Sequence, residues 1–201
     1  ALLVTAAPAQ DHDHGAGAAV KKSKPAPPKV FLDKSPRIVE YQLKRLDNQR
    51  LLLVERKTDD AKYIPVYAAI LSRVGLSPQY REEALEALVK LRESDAVNIL
   101  IEAIGKLDAK DRDEARTARQ LASMLLKQPT ETLESQVDAI EQAADDDNAL
   151  LRSVAYAALV GAGKPEQAID RSSNSNEDSL AFLGSVELVP NAKNRTQLRE
   201  Q

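Results

Sequence analysis

The sequence predicts an all-α fold of antiparallel helical hairpins stacked as a short α-solenoid, and three observations predict it. Tyr80-Arg81-Glu82-Glu83-Ala84-Leu85-Glu86-Ala87-Leu88 returns in outline as Leu151-Arg152-Ser153-Val154-Ala155-Tyr156-Ala157-Ala158-Leu159: an apolar residue, Arg, Ala at the third and sixth positions after it, then Leu. A weaker copy starts at Arg112, with Ala115 and Ala118. Self-similarity at such spacings marks helical arrays, in which each helix pair buries its apolar face only by stacking on its neighbours. The 201 residues are 43% apolar but only 3% aromatic, without Trp, and a core of Ala, Leu, Val and Ile suits helix axes roughly 8–10 Å apart. Lastly, Ser35-Pro36 and Ser77-Pro78 each precede apolar residues at helical spacing, the pattern of a helix start.

The elements follow in order. Ala1-Leu2-Leu3-Val4-Thr5-Ala6-Ala7-Pro8-Ala9 reads as the tail of an apolar signal region with a small-x-small cleavage site at Ala7-Pro8-Ala9. Residues 1–9 are thus expected to be a signal-peptide remnant and the chain to be exported, periplasmic or extracellular; a plain Ala-rich terminus is the competing reading. Residues 10–30 form a tether, first His- and Gly-rich, then basic and Pro-rich from Lys21 to Lys29, and its prolines favour extended polyproline conformation and disorder.

Residues 31–76 are expected to form N-terminal helices. One follows Ser35-Pro36 and turns Ile38, Val39, Leu43 and Leu46 inward; a short second is capped by Asn48; a third starts at Pro65, buries Val66, Ala69 and Ile70, and stops at Gly75. Residues 77–190 hold the repeats. The first hairpin buries Tyr80, Ala84, Ala87, Leu88 and Leu91, then, after Ser94 or Asp95, Val97, Leu100, Ile101 and Ile104. The second buries Ala115, Ala118, Ala122 and Leu125, breaks at Gln128-Pro129, and resumes under a Thr130 cap with Leu133, Val137, Ile140 and Ala144 inward. Beyond Asp145-Asp146-Asp147-Asn148 a helix buries Leu151, Val154, Ala155, Ala158 and Leu159 and closes at Gly161 and Gly163. A short partner begins at Pro165, and a final helix from Glu177 turns Leu180, Leu183 and Val186 to one face. Residues 191–201 read as the start of a further helix without a stop signal, so the chain is expected to be a piece of something longer.

The hairpins over roughly residues 78–170, with arginines 31 and 40 residues apart at Arg81, Arg112 and Arg152, resemble HEAT repeats, helix pairs that vary in loop length. The Pro and Asp signatures of many HEAT helices are missing here, and a generic helical bundle is the competing architecture.

Composition narrows the chemistry. With a net charge of −3 and interspersed charges, there is no clustered basic face with aromatics of the kind nucleic acid requires. No stretch reaches the roughly 20 apolar residues of a membrane span. The absence of Cys removes disulfides, thiolate catalysis and c-type haem attachment. Both histidines, His12 and His14, lie in the tether. Cleavage after Ala9 would place His12 third from a free amine, a nitrogen set that Cu(II) and Ni(II) favour, although a solvated tail explains the same residues and an N-terminal Gln10 readily cyclises.

The folded region has neither His nor Cys as general base or soft nucleophile. Gly75-Leu76-Ser77-Pro78-Gln79 is not a nucleophile elbow, and Gly163-Lys164 is not a phosphate loop. Tyr63, Tyr67 and Tyr80 suit the core better than a pocket. Counting about 100° per residue, Asp95 and Glu102 fall opposite the buried face of one second helix, and Glu131, Glu134, Asp138 and Glu141 opposite that of the next, with Asp145 beyond. In a HEAT-like stack these helices line the concave surface. The residues then form either an acidic groove for a basic protein segment or a solvated face.

The sequence thus points to an exported, non-enzymatic scaffold or protein-interaction module whose partner is a basic segment or another domain of the same chain. The runs Phe31-Leu32-Asp33-Lys34-Ser35-Pro36, Tyr41-Gln42-Leu43-Lys44-Arg45-Leu46 and Leu51-Leu52-Leu53-Val54-Glu55-Arg56 suggest an alternative. They resemble the N-terminal helical region of large secreted bacterial proteins that join HEAT-like repeats to cytochrome c or cupredoxin domains. That resemblance implies a helical arm of an electron-transfer protein, with haem or copper in downstream domains and no cofactor site in these residues. A carboxylate-only enzyme is a third class, since a helical array does not exclude catalysis.

Overall fold

The computed structural model describes residues 26–190 and Arg195. Among the described residues the chain is all-helical, with no strand: α1 (Pro36–Lys44), α2 (Asn48–Leu52), a 3-10 turn (Ala61–Tyr63), α3 (Ile64–Ser72), α4 (Pro78–Arg92), α5 (Ala96–Gly105), α6 (Arg112–Leu125), α7 (Thr130–Ser135), α8 (Val137–Ala144), α9 (Ala149–Gly161), α10 (Pro165–Ser172) and α11 (Asn176–Ser185).

Two kinds of start produce these helices. Pro36 and Pro78 open α1 and α4 after Ser35 and Ser77, and neither serine side chain caps the helix; the fixed φ of proline supplies the start. Elsewhere a side-chain oxygen takes up free backbone N–H groups. Asp47 accepts from Arg50 N at 2.8 Å, Asp95 from Asn98 N at 2.9 Å, and Asn148 from Leu150 N and Leu151 N at 3.1 and 3.2 Å. The cap of α2 is therefore Asp47 rather than Asn48, whose amide instead donates to Val74 O at 3.0 Å. Pro129, not Thr130, precedes the first turn of α7. The helix expected to run on from Thr130 is broken at Gln136 (φ −116, ψ 21). There Gln136 N bonds to Leu133 O in a tightened turn, and the Gln136 side chain accepts from Asn98 Nδ2 of α5 at 2.9 Å.

Packing largely follows chain order: α1 on α3, α3 on α4, α4 on α5, α5 on α6, α8 on α9, and α10 and α11 on α9 and each other. The most enclosed element is α9, in which Leu151 and every residue from Val154 to Val160 is buried. The alanines among them let neighbouring helices approach closely, as at Gly161, where an added Cβ would stand 3.0 Å from Leu133 Cδ1. Tyr156 meets Phe182 of α11 edge to face, with ring centroids 5.9 Å apart.

Several predicted inward positions face solvent. Leu180 and Leu183 are 69% and 65% exposed, and α11 instead buries Ala181 and Ser185. Small residues explain the rotation: an added Cβ on Gly184 would lie 3.1 Å from Ser153 Oγ, so this side of α11 fits against α9 and its leucines do not. Ile38 is likewise 48% exposed, whereas Val39 and Leu43 carry the buried face of α1. Tyr63 and Tyr67 are core residues, but Tyr80 lies at the surface. Gly75 adopts φ +78 in the turn after α3, a conformation that favours glycine.

The repeat is also placed differently from its sequence signature. Arg81 and Arg152 are both the fourth residues of their helices, whereas Arg112 is the first residue of α6, so Ala115 occupies the equivalent place. Helix starts are spaced more evenly than the arginines: 34 residues from Pro78 to Arg112 and 37 from Arg112 to Ala149.

Candidate functional site

The most constrained polar side chains join helices to one another. The last carbonyls of a helix have no partner within it and carry partial negative charge, and several guanidiniums occupy such ends, among them Arg56 on Leu52 O of α2 at 2.7 Å. Arg73 donates to Leu43 O at 2.7 Å at the end of α1. Arg81 donates to Leu71 O and, at 2.6 Å, to Arg73 O beyond α3. Arg171 reaches Glu141 O of α8 at 3.3 Å and Asp145 Oδ1 at 2.5 Å. Arg81 is 1% exposed, and burial pushes its guanidinium below the ordinary arginine value while leaving it a cation. Asparagines add further ties: Asn48 Nδ2 donates to Val74 O and Asn148 Nδ2 to Leu107 O, at 3.0 and 3.1 Å. The sequence reading missed these roles because nothing local distinguishes an arginine that seats on a distant carbonyl from a solvated one.

The predicted acidic residues separate into two groups. Asp95 is occupied as the α5 cap and also accepts from Asn98 Nδ2 at 2.5 Å. Glu102 bridges Arg92 and Lys106, each at 2.6 Å, and the Lys106 hydrogen bond is the largest cause of a carboxyl pKa below the ordinary glutamate value. Glu134 pairs with Lys164 at 3.0 Å, and Asp145 with Arg171. Glu131 and Asp138 are exposed on α7 and α8, with Glu141 half-buried beside them. Asn98 and Gln136 connect this region to α5.

Two open clefts mark the surface. One, of about 540 Å³, lies between the start of α9 and α11 and is lined by Asp147, Ala149, Arg152, Ser153, Glu177 and Leu180 among others. Arg152 pairs there with Glu177 at 3.2 Å, and the Glu177 side chain is 74% exposed. The other, of about 350 Å³, lies where the α3–α4 turn meets α6 and includes Ser77, Asp113, Arg116 and Gln120. Tyr156 is the most perturbed acid: burial first, then the Asp178 charge, pushes its phenol up to about 12. It packs in the core beneath Phe182 rather than facing a cleft.

No group of three or more His, Asp or Glu side chains able to hold a metal occurs among the described residues. His12 and His14 lie outside those residues. No helix among the described residues is long and apolar enough to cross a membrane. Comparison with protein-family models, curated proteins and solved structures finds no match. Fold and side-chain geometry together define a class, an all-α protein of successive, side-chain-tied helices.

Proposed function

We propose that this chain is an exported, non-enzymatic scaffold, a HEAT-like helical array that presents a protein-interaction surface. The observation that carries the reading is the use of its polar side chains. Arg73, Arg81, Arg171, Asn48 and Asn148 hold helix ends together, and Asp95, Glu102, Glu134 and Asp145 are engaged in caps and bridges. Such ties fix a shape. They leave the acidic surface of α7 and α8, carrying Glu131, Asp138 and Glu141, for a basic segment of a partner protein or of another domain of the same chain. Export rests on the cleavage pattern Ala7-Pro8-Ala9.

The test is a titration of the isotopically labelled chain with a Lys-rich peptide at low salt, read by NMR. Binding should shift resonances of α7 and α8 and should weaken at least tenfold in a Glu131→Lys/Asp138→Lys/Glu141→Lys variant. Binding that is absent, or that this triple variant leaves unchanged, would discard the acidic surface as the docking site.

A further inference from the structure

We propose that the outer faces of α1 and α11 are complementary, so that copies of this chain associate head to tail, the outer face of α1 in one copy seating on the outer face of α11 in the next. On and just after α1, Ile38, Tyr41 and Arg45 follow one another at helical spacing, and the Arg45 guanidinium lies over the Tyr41 ring and donates to Tyr41 Oη at 2.8 Å. On and just after α11, Leu180, Leu183 and Glu187 repeat the same offsets. Each stripe has two large apolar side chains at its centre: Ile38 and Tyr41 are 48% and 59% exposed, Leu180 and Leu183 69% and 65%. α1 packs on α3, and α11 on α9 and α10, so the stripes stand on the first and last of the helices α1 to α11 among the described residues.

The charges around the two apolar centres are opposite. Lys34, Arg37, Lys44 and Arg45 surround the α1 stripe, against Asp33 and Glu40. Asp147, Glu177, Asp178 and Glu187 surround the α11 stripe, where Arg152 is already paired with Glu177. Leu180 also forms a wall of the 540 Å³ cleft. Opposed fields of this kind steer encounter and set register. Two large side chains per face fall well short of the roughly 800 Å² per partner of a standard interface, so the contact is weak and salt-sensitive. Because the joined faces differ, every added copy leaves one free end, and the assembly grows as an open chain.

The test is sedimentation velocity of the 201-residue chain over a range of protein concentration at low salt. The average mass should climb with concentration without levelling at a dimer, and should fall back toward the monomer at high salt. Ile38→Glu/Tyr41→Glu and Leu180→Lys/Leu183→Lys change exposed positions only, and circular dichroism checks that each variant folds. Each alone should be monomeric, and an equimolar mixture of the two should form a one-to-one pair and nothing larger. A chain that stays monomeric at every concentration overturns the proposal, as does a mixture without pairs. Association abolished by only one of the double variants indicates a symmetric contact and also overturns it. The Glu131→Lys/Asp138→Lys/Glu141→Lys variant should associate like the parent, which separates this contact from the α7–α8 surface; loss of association there would count against the α11 face.

Discussion

Arg81 and Arg152 hold the same place in the same motif, yet one is a buried fastener on helix-end carbonyls and the other a partly buried partner of an exposed carboxylate. Arg81 is 1% exposed and seats on the carbonyls that follow α3. Arg152 retains 15% side-chain exposure and meets Glu177, whose side chain is 74% exposed. The alanines that follow them do not diverge: Ala84 and Ala155 are 0% and 3% exposed, Ala87 and Ala158 4% and 1%. The difference teaches that the repeat specifies a packing surface through its small residues, while its arginine takes whatever the preceding helix end offers. At α4 that is a set of free carbonyls. At α9 the end of the preceding helix, α8, is held by Arg171 through Glu141 O, and the Arg152 guanidinium pairs instead with Glu177 of α11.

The largest effects should fall where the two copies agree. Ala84→Glu and Ala155→Glu each force a longer, charged side chain into a closed helix contact, and each should cost more than about 4 kcal/mol. Thermal unfolding followed by circular dichroism should show both variants largely unfolded or severely destabilised. Near-normal stability in one of them would break the equivalence of the copies.

Arg81 comes next, where the copies differ. Arg81→Ala leaves two buried carbonyls unpaired and opens a cavity, a loss of about 3–5 kcal/mol, lowering the unfolding temperature by roughly 10 °C. Arg81→Met refills most of the volume without donors and should recover part of that loss. If the methionine variant matches the parent in urea unfolding, the carbonyl contacts contribute nothing and Arg81 is a packing residue only.

Much of this fold could be read in the sequence because helix boundaries and small buried positions are local properties. Pro36, Pro78, Asp95 and Asn148 mark starts by their own conformational preferences or hydrogen bonds. The face that α11 turns inward is not local. Leu180 and Leu183 are the more hydrophobic choice, but contact with α9 selects Ala181 and Ser185. The acidic face shows the same limit: a helical wheel places Glu102 and Glu134 outward, but cannot show that Arg92 and Lys106 bracket the first or that Lys164 reaches the second from 30 residues away. The weaker copy at Arg112 misled for a third reason, a shift of one turn that only the start of α6 reveals.

A smaller effect is expected at the other motif arginine. Glu177→Gln should cost about 1 kcal/mol or less, because its carboxylate is exposed and gains little over a solvated charge, and Arg152→Ala should cost somewhat more, about 1–2 kcal/mol, because its stem is packed. A double-mutant cycle in urea should give a coupling below about 1 kcal/mol, and it should shrink with added salt. A coupling as large as the Arg81→Ala effect would erase the distinction between fastener and ion-pair partner.

The smallest effect isolates the surface pair from any role in holding helix ends. Glu102 pairs with Arg92 and Lys106 and accepts no backbone hydrogen bond, and the Lys106 contact chiefly holds its carboxyl pKa below the ordinary value of 4.5. A carboxyl depressed on folding contributes stability that is fully present above its unfolded value and is lost as pH falls through its folded value. With the Glu102 side chain 40% exposed, solvent screening keeps that contribution below about 1 kcal/mol. Glu102→Gln should therefore lower stability slightly at neutral pH, and the gap to the parent should close below about pH 4. A gap that persists in acid would mean that Glu102 acts through packing, as Arg81 does in part, rather than through its charge.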